Sequence, residues 1–289
     1  MITLTTLSSV LVMMVAGVSA GVFAWLRSRC CGDGEEAASF DPERDRARRH
    51  VILDKDQHRP QVLIIGDVHG CLEELKELLL AFAYDPGSMT VILVGDLVNK
   101  GPFSAEVVRF VREQNFHCVL GNHDVSALQR VFAFMRGEEV PEKYSYVQRL
   151  SQEDIEWYSS LPFTISLPEF NAIVTHAGLV PGAPLLEQTV FTMTKMRNIL
   201  KHKHGELEAL ERNTEGENWA VFWGAAPHVY YGHDAKRGLQ LHEFATGLDS
   251  GCCYGRELTG VLLPSRELRS VPAHRVYEDK AEKKGRKKK

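Results

Sequence analysis

Asp, His and Asn recur along this chain in one setting, directly after short apolar runs and beside glycine. The segments are Gly66-Asp67-Val68-His69-Gly70, Gly95-Asp96, Gly121-Asn122-His123-Asp124, His176-Ala177-Gly178 and Gly232-His233-Asp234. Taken singly, each has an ordinary explanation, since Asp is frequent in turns and most isolated histidines are satisfied core or surface groups. Taken together they form a mixed set of N and O donors that suits Mn, Fe or Zn. A carboxylate able to bridge two ions, with imidazoles and an amide around it, describes a two-metal hydrolytic site.

Such donors work only if separate elements bring them together. The sequence predicts strands over Val62–Ile65, Val91–Val94 and Cys118–Leu120, each a short apolar run ending at one of these segments. Leu72, Leu75, Leu78, Leu79 and Phe82 recur at helical spacing, and Ala105–Val111 and Ala127–Phe134 supply two further helices. Further strands are expected over Phe163–Leu167, Ala172–Thr175, Val229–Gly232, Gln240–Phe244 and Leu258–Leu263. Early βαβ units followed by a strand-rich half predict an α/β (α+β) domain of two stacked sheets flanked by helices. In open α/β sheets sites gather beyond the carboxyl ends of strands, so the five segments are expected to converge on one crevice.

The 289 residues, 44% hydrophobic and 25% charged, fit one globular domain with a sizeable core. A net charge of −4 argues against duplex nucleic-acid binding, and any attraction to a polyanion must come from local clusters. The six cysteines show neither a spaced disulfide framework nor a CxxC pair, which favours a reducing compartment. Residues 1–29 carry an uncharged apolar run of the length of a membrane span, and are expected to form a single-pass anchor. A cleaved signal peptide is the rival reading, because Val18-Ser19-Ala20 resembles a cleavage site. Arg27 and Arg29 favour a cytosolic catalytic domain, with a lumenal (vacuolar or ER) one as the alternative. Cys30 and Cys31 are either lipidation sites or idle thiols. Residues 30–60 are expected to be a flexible linker, 61–277 the folded domain, and 278–289 a basic disordered tail.

In order and spacing, GDVHG, GDLVNKGP, GNHD, HAG and GHD resemble the calcineurin-like metallophosphoesterases related to Ser/Thr protein phosphatases. Met196-Arg197-Asn198, YGHDAKRGLQL and LDSGCCYGRELT bring the resemblance closer to the ApaH-like branch, related to bacterial diadenosine tetraphosphatase. The resemblance implies a four-layer αββα sandwich of two mixed sheets and two divalent ions (Mn, Zn, Fe or Co). It implies Asp67, His69 and a bridging Asp96 on one ion, and Asp96, Asn122, His176 and His233 on the other. Catalysis falls to Asp96 and to His123 as general acid, with Lys100 and Arg197 holding phosphate oxygens. Where protein phosphatases carry Asp-Arg-Gly, this chain has Asn99-Lys100-Gly101. Neutral Asn99 can orient His123 but cannot stabilise its charged form as a carboxylate would.

The substrates the family implies are inorganic polyphosphate, dinucleoside polyphosphates, an mRNA cap or a phosphoprotein. Polyphosphate is the expectation. The fifth motif resembles vacuolar endopolyphosphatases, and Lys195, Arg197, Lys201, His202, Lys203, His204, Lys236 and Arg237 make locally basic stretches. The non-enzyme reading is a dead, membrane-tethered scaffold. The presence of every inferred ligand and of His123 opposes it.

Overall fold

The computed structural model of the protein describes residues 40–43 and 49–279. The apolar segment over 1–29, Cys30 and Cys31, and most of the basic tail lie outside the described residues. No helix among the described residues is long and apolar enough to cross a membrane.

The first half alternates strand and helix: β1 (His50–Ile52), β2 (Gln61–Ile65), α1 (Leu72–Ala81), β3 (Met89–Leu93), α2 (Ser104–Glu113), β4 (His117–Cys118), α3 (Asn122–Met135) and α4 (Gln152–Ser160). Then come β5 (Thr164–Leu167), β6 (Ala172–Thr175), α5 (Val190–Lys195), β7 (Asn198–Lys201), β8 (Leu207–Leu210), β9 (Glu217–Asn218) and α6 (Trp219–Phe222). The chain closes with β10 (His228–Tyr231), β11 (Gln240–Leu241), β12 (Ala245–Gly247), β13 (Glu257–Leu263) and β14 (Glu267–Pro272).

Two mixed sheets result, ordered β14-β13-β2-β3-β4 and β1-β5-β6-β10-β12-β11. Alternation along the strands shows how they stack. Val62, Ile64 and Ile92 of the first sheet share a core with Ile165, Val174 and Tyr230 of the second. Their neighbours Leu63, Ile65, Val91 and Leu93 point the other way and pack with the helices. Strands buried on both faces read as continuous apolar runs, which is why β2 and β3 are legible as Val62–Ile65 and Val91–Val94. Each such side chain contributes about 1.5–3 kcal/mol by leaving water, so a charge at Ile64 would break the joint between the sheets.

The expected helix after β2 forms, with Leu72, Leu75, Leu78 and Leu79 buried. Three expectations need correction. His50–Ile52, assigned to a linker, pairs in parallel with β5 as the edge of the second sheet, and Phe40 is buried on the core. Of the strand expected over Gln240–Phe244 only Gln240–Leu241 forms, as β11, and it pairs antiparallel with β12 beyond it. The outer layer of the second sheet is also not purely helical. There Trp219 of α6 meets the Tyr231 ring edge-on at 4.9 Å, beside a three-stranded sheet β8-β7-β9.

Candidate active site

Strand direction gathers the five segments. β2, β3 and β4 run parallel in one sheet, and β6 and β10 run parallel in the other. Asp67 and His69, Asp96, Asn122 and His123, His176, and His233 follow the carboxyl ends of these five strands in turn. Their loops bond to one another through the backbone: His69 N–H donates to Asp96 O (2.8 Å), and Gly101 N–H to His69 O (2.8 Å). Among the described residues nine non-glycine positions have positive φ, and His69, Asp96, Asn99, Lys100 and His233 are five of them. Strained backbone of this kind persists only where the surroundings over-determine it. Two glycines are required by close approach, because a Cβ at Gly121 would collide with the Asp96 carboxylate and one at Gly232 with that of Asp67.

Asp96 sits at the centre. Its Oδ2 lies 3.4 Å from His69 Nε2 and its Oδ1 3.5 Å from His176 Nε2. Asp67 Oδ2 is 3.8 Å from His69 Nε2, and Asn122 Oδ1 is 3.2 Å from His176 Nε2. Two clusters of ligating atoms, each spanning no more than 4.8 Å, share this carboxylate: His69–Asp96–His123 and Asp96–His176–His233. The donor set fits a pair of divalent ions on three counts. First, tautomers are fixed from behind. His69 Nδ1 faces Val98 O at 3.0 Å and His176 Nδ1 faces Val94 O at 2.8 Å, leaving each Nε2 lone pair toward Asp96. For His233 the roles are exchanged, with Nε2 on Lys195 O at 3.0 Å. Second, burial holds His69 and His233 well below the usual imidazole range, so they stay neutral and keep their lone pairs. Third, burial raises the Asp67 carboxyl well above the ordinary range, with Asp249 and Asp96 adding repulsion. A crowd of buried carboxylates needs positive charge. Lys100 Nζ supplies some, 2.6 Å from the His69 Nε2 lone pair that an ion would take.

Behind Asp96 stands Asp124, fully buried. It accepts from the N–H groups of Asp96 (2.6 Å), Leu97 (3.0 Å) and Gly121 (2.9 Å) and from the Tyr158 hydroxyl (2.6 Å). Burial and the Asp96 charge push its carboxyl up to about 7, while these donors oppose the rise. Asp124 thus ties the loop after β3 to the start of α3. A second chain of bonds orients His123. The Tyr146 hydroxyl donates to Asn99 Oδ1 (3.0 Å), which turns the Asn99 amide N–H toward His123 Nδ1 (3.1 Å). An Nδ1 that accepts leaves the proton on Nε2, the tautomer that can donate to a leaving oxygen. Burial lowers the His123 pKa to about 4.

All nine site residues expected from sequence come together. His69, Asp96, Asn122, His123, His233, Lys100 and Arg197 line one cleft of about 490 Å³, with Asp67 and His176 buried beneath. Arg197 Nη2 donates to His233 O and its Nη1 to Glu211 O, both at 3.1 Å. The basic stretches are divided. Lys236 lines the cleft, whereas Lys201, Lys203 and Arg237 do not, and Arg237 is tied to Asp234 and Asn198. Sequence reasoning missed Asp249, Tyr254 and Arg212, which also line it. Asp249 had a signal, since it follows β12 as Asp67 follows β2. Arg212 had none. Lys100 lies over the Tyr254 ring at 5.1 Å, and Tyr254, Lys236 and Ala235 continue into an adjoining groove of about 480 Å³.

Two stacked mixed sheets with Asp, His and Asn at their strand ends define a binuclear phosphoesterase. The chain belongs to the calcineurin-like phosphoesterases, whose family profile matches residues 60–254, and it is a hydrolase of the kind that works with two divalent ions. It is 28% identical over 244 residues to the asymmetrical bis(5'-nucleosyl)-tetraphosphatase PrpE of Oceanobacillus iheyensis, covering 74% of this chain and 93% of that one. It is 29% identical over 266 residues to a symmetrical bis(5'-nucleosyl)-tetraphosphatase of Aromatoleum aromaticum, covering 73% and 97%. Among solved structures it resembles a putative diadenosine tetraphosphatase, with 38% identity, a TM-score of 0.69, and 78% and 98% of the two chains covered.

Proposed function

We propose that this chain hydrolyses the phosphoanhydride chain of dinucleoside polyphosphates, with a bis(5'-nucleosyl) tetraphosphate as the first candidate. The observation that carries this reading is the shape of the cleft. An acidic, imidazole-lined floor lies under the cations Arg197, Arg212 and Lys236, and the groove runs on past Tyr254. A row of cations suits several linked phosphates, and an aromatic ring at the continuation suits a nucleobase. The names of the similar proteins point the same way. Polyphosphate, expected from the basic stretches, loses part of its local support, because Arg197 and Lys236 line the cleft but Lys201, Lys203 and Arg237 do not.

In this reading Asp67, His69 and Asp96 hold one divalent ion, and Asp96, Asn122, His176 and His233 the other. The ions, when bound, supply the charge that acidifies a water and offsets charge developing on the phosphoryl oxygens. The protein does the rest. Lys100 and Arg197 fix phosphoryl oxygens, and their bonds to neighbouring carbonyls and rings set where those oxygens sit. His123, held through Nδ1 by Asn99, presents Nε2–H as a hydrogen-bond donor to the leaving oxygen and offsets the charge that develops there as the P–O bond breaks.

The test is turnover of diadenosine tetraphosphate, polyphosphate, capped RNA and a phosphopeptide side by side with manganese present. The tetraphosphate should give the highest kcat/KM, with ADP alone or ATP plus AMP revealing which anhydride is cut. Faster turnover of polyphosphate, capped RNA or phosphopeptide would overturn the assignment.

A further inference from the structure

We propose that Cys71, Glu74 and Cys252 form a separate site for one thiophilic dication, zinc being the natural occupant. Cys71 is the residue from which α1 starts and Glu74 lies in its first turn. Cys252 arrives on the loop that follows Asp249. One ligand atom from each of the three lies within 4.8 Å of the other two, and the residues are only 0%, 1% and 1% exposed. Two sulfurs and a carboxylate oxygen at that spacing match a tetrahedral zinc set with one position left, which a water can take.

Glu74 gives an independent reason for a cation. Its Oε1 accepts from the His274 backbone N–H (3.0 Å) and the Tyr277 hydroxyl (2.7 Å), both neutral. The nearby cations are engaged elsewhere, Lys76 with Glu73 and the His274 ring with Glu77. A buried carboxylate without a positive partner is costly, and a dication on the adjoining thiols removes that cost. Binding converts both thiols to thiolates and releases their two protons to solvent. The N/O floor of the cleft and this S/O set differ in softness, so the two select different metals. The second site would be structural. It pins the loop two residues beyond His69 to the loop three residues beyond Asp249, and through Glu74 to the segment at His274 and Tyr277.

Cobalt substitution tests this without relying on activity. The metal-stripped full chain, titrated with Co²⁺, should develop a thiolate-to-cobalt charge-transfer band in the near ultraviolet. Asp96→Asn, which disables the catalytic centre, should keep the band. So should Cys118→Ser, which removes a buried thiol outside the cluster. Cys71→Ser/Cys252→Ser should lose it while near-UV circular dichroism stays native, and Glu74→Gln should weaken cobalt binding by about tenfold or more. If the folded wild type shows no such band at saturating cobalt, the thiols are core residues only and the proposal fails. It fails equally if the band persists in the double variant.

Discussion

The floor and the rim of the cleft are built differently. Floor residues Asp67, His69, Asp96, His176 and His233 are all under 9% exposed, follow parallel strands, and are locked by backbone bonds and by Asp124. Rim residues Arg212 and Lys236 are exposed. They sit on the segment after β8 and the loop after β10, where Lys236 donates to Asn213 Oδ1 at 3.2 Å. A rigid, dry floor holds a fixed arrangement of charge, which decides the class of reaction. A solvated rim can change its cations without disturbing the fold, and so decides what is brought to that floor.

The largest effect should follow from Asp96→Asn. The substitution removes the charge shared by both ligand clusters, and it weakens an acceptor for His123 N–H at 2.9 Å. Turnover of every substrate should fall at least about 10³-fold and bound metal should drop, with the far-UV spectrum unchanged. Full metal content with normal turnover would break the floor's half of the comparison.

His123→Ala should cost about 10²–10⁴-fold. The loss should be greater on phenyl phosphate than on nitrophenyl phosphate, whose leaving oxygen develops less charge for the Nε2–H to offset. An equal loss on the two esters would give His123 a role other than hydrogen-bond donor to the leaving oxygen.

Asp124→Ala should act on stability instead. It would strand three buried N–H groups and the Tyr158 hydroxyl, costing about 3 kcal/mol or more in a denaturant titration. Tyr158→Phe keeps the carboxylate and its N–H donors and should cost about 1 kcal/mol. If Asp124→Ala is as stable as wild type, the loops around Asp96 are braced by something else.

Smallest of all should be Lys201→Ala/Lys203→Ala, on the exposed end of β7 and the turn beyond it. Turnover of diadenosine tetraphosphate and of polyphosphate should each stay within about twofold of wild type. A selective loss on polyphosphate would revive the reading that the basic stretch first suggested.

The same contrast governs what the sequence reveals. The floor is legible because metal chemistry restricts residue types, and because strands buried on both faces write continuous apolar runs up to each ligand. Asp249 is less visible, since β12 is three residues long and offers little pattern. The small sheet β8-β7-β9 escapes notice because its strands are short and partly exposed, so tertiary pairing rather than periodicity forms them. β14 escapes likewise, as Val271 is its only buried residue. β1, with no buried residue, is held at the sheet edge by its pairing with β5. Arg212 is legible from no local signal, because only the path of β8 and β9 brings it over the cleft. Lys201 and Lys203, conspicuous as a charge run, are a solvated face.

The most direct test of the division between floor and rim uses Arg212→Ala/Lys236→Ala and two substrates. The quantity is the ratio of kcat/KM for diadenosine tetraphosphate to that for a small aryl phosphate. A single phosphoryl group is held by the floor, so the aryl phosphate should be turned over within about twofold of wild type. Two lost contacts of about 0.7 kcal/mol each should lower the ratio about tenfold, and raised salt should narrow the gap. A parallel loss on both substrates would contradict the account, because the rim would then be supporting the metal floor itself.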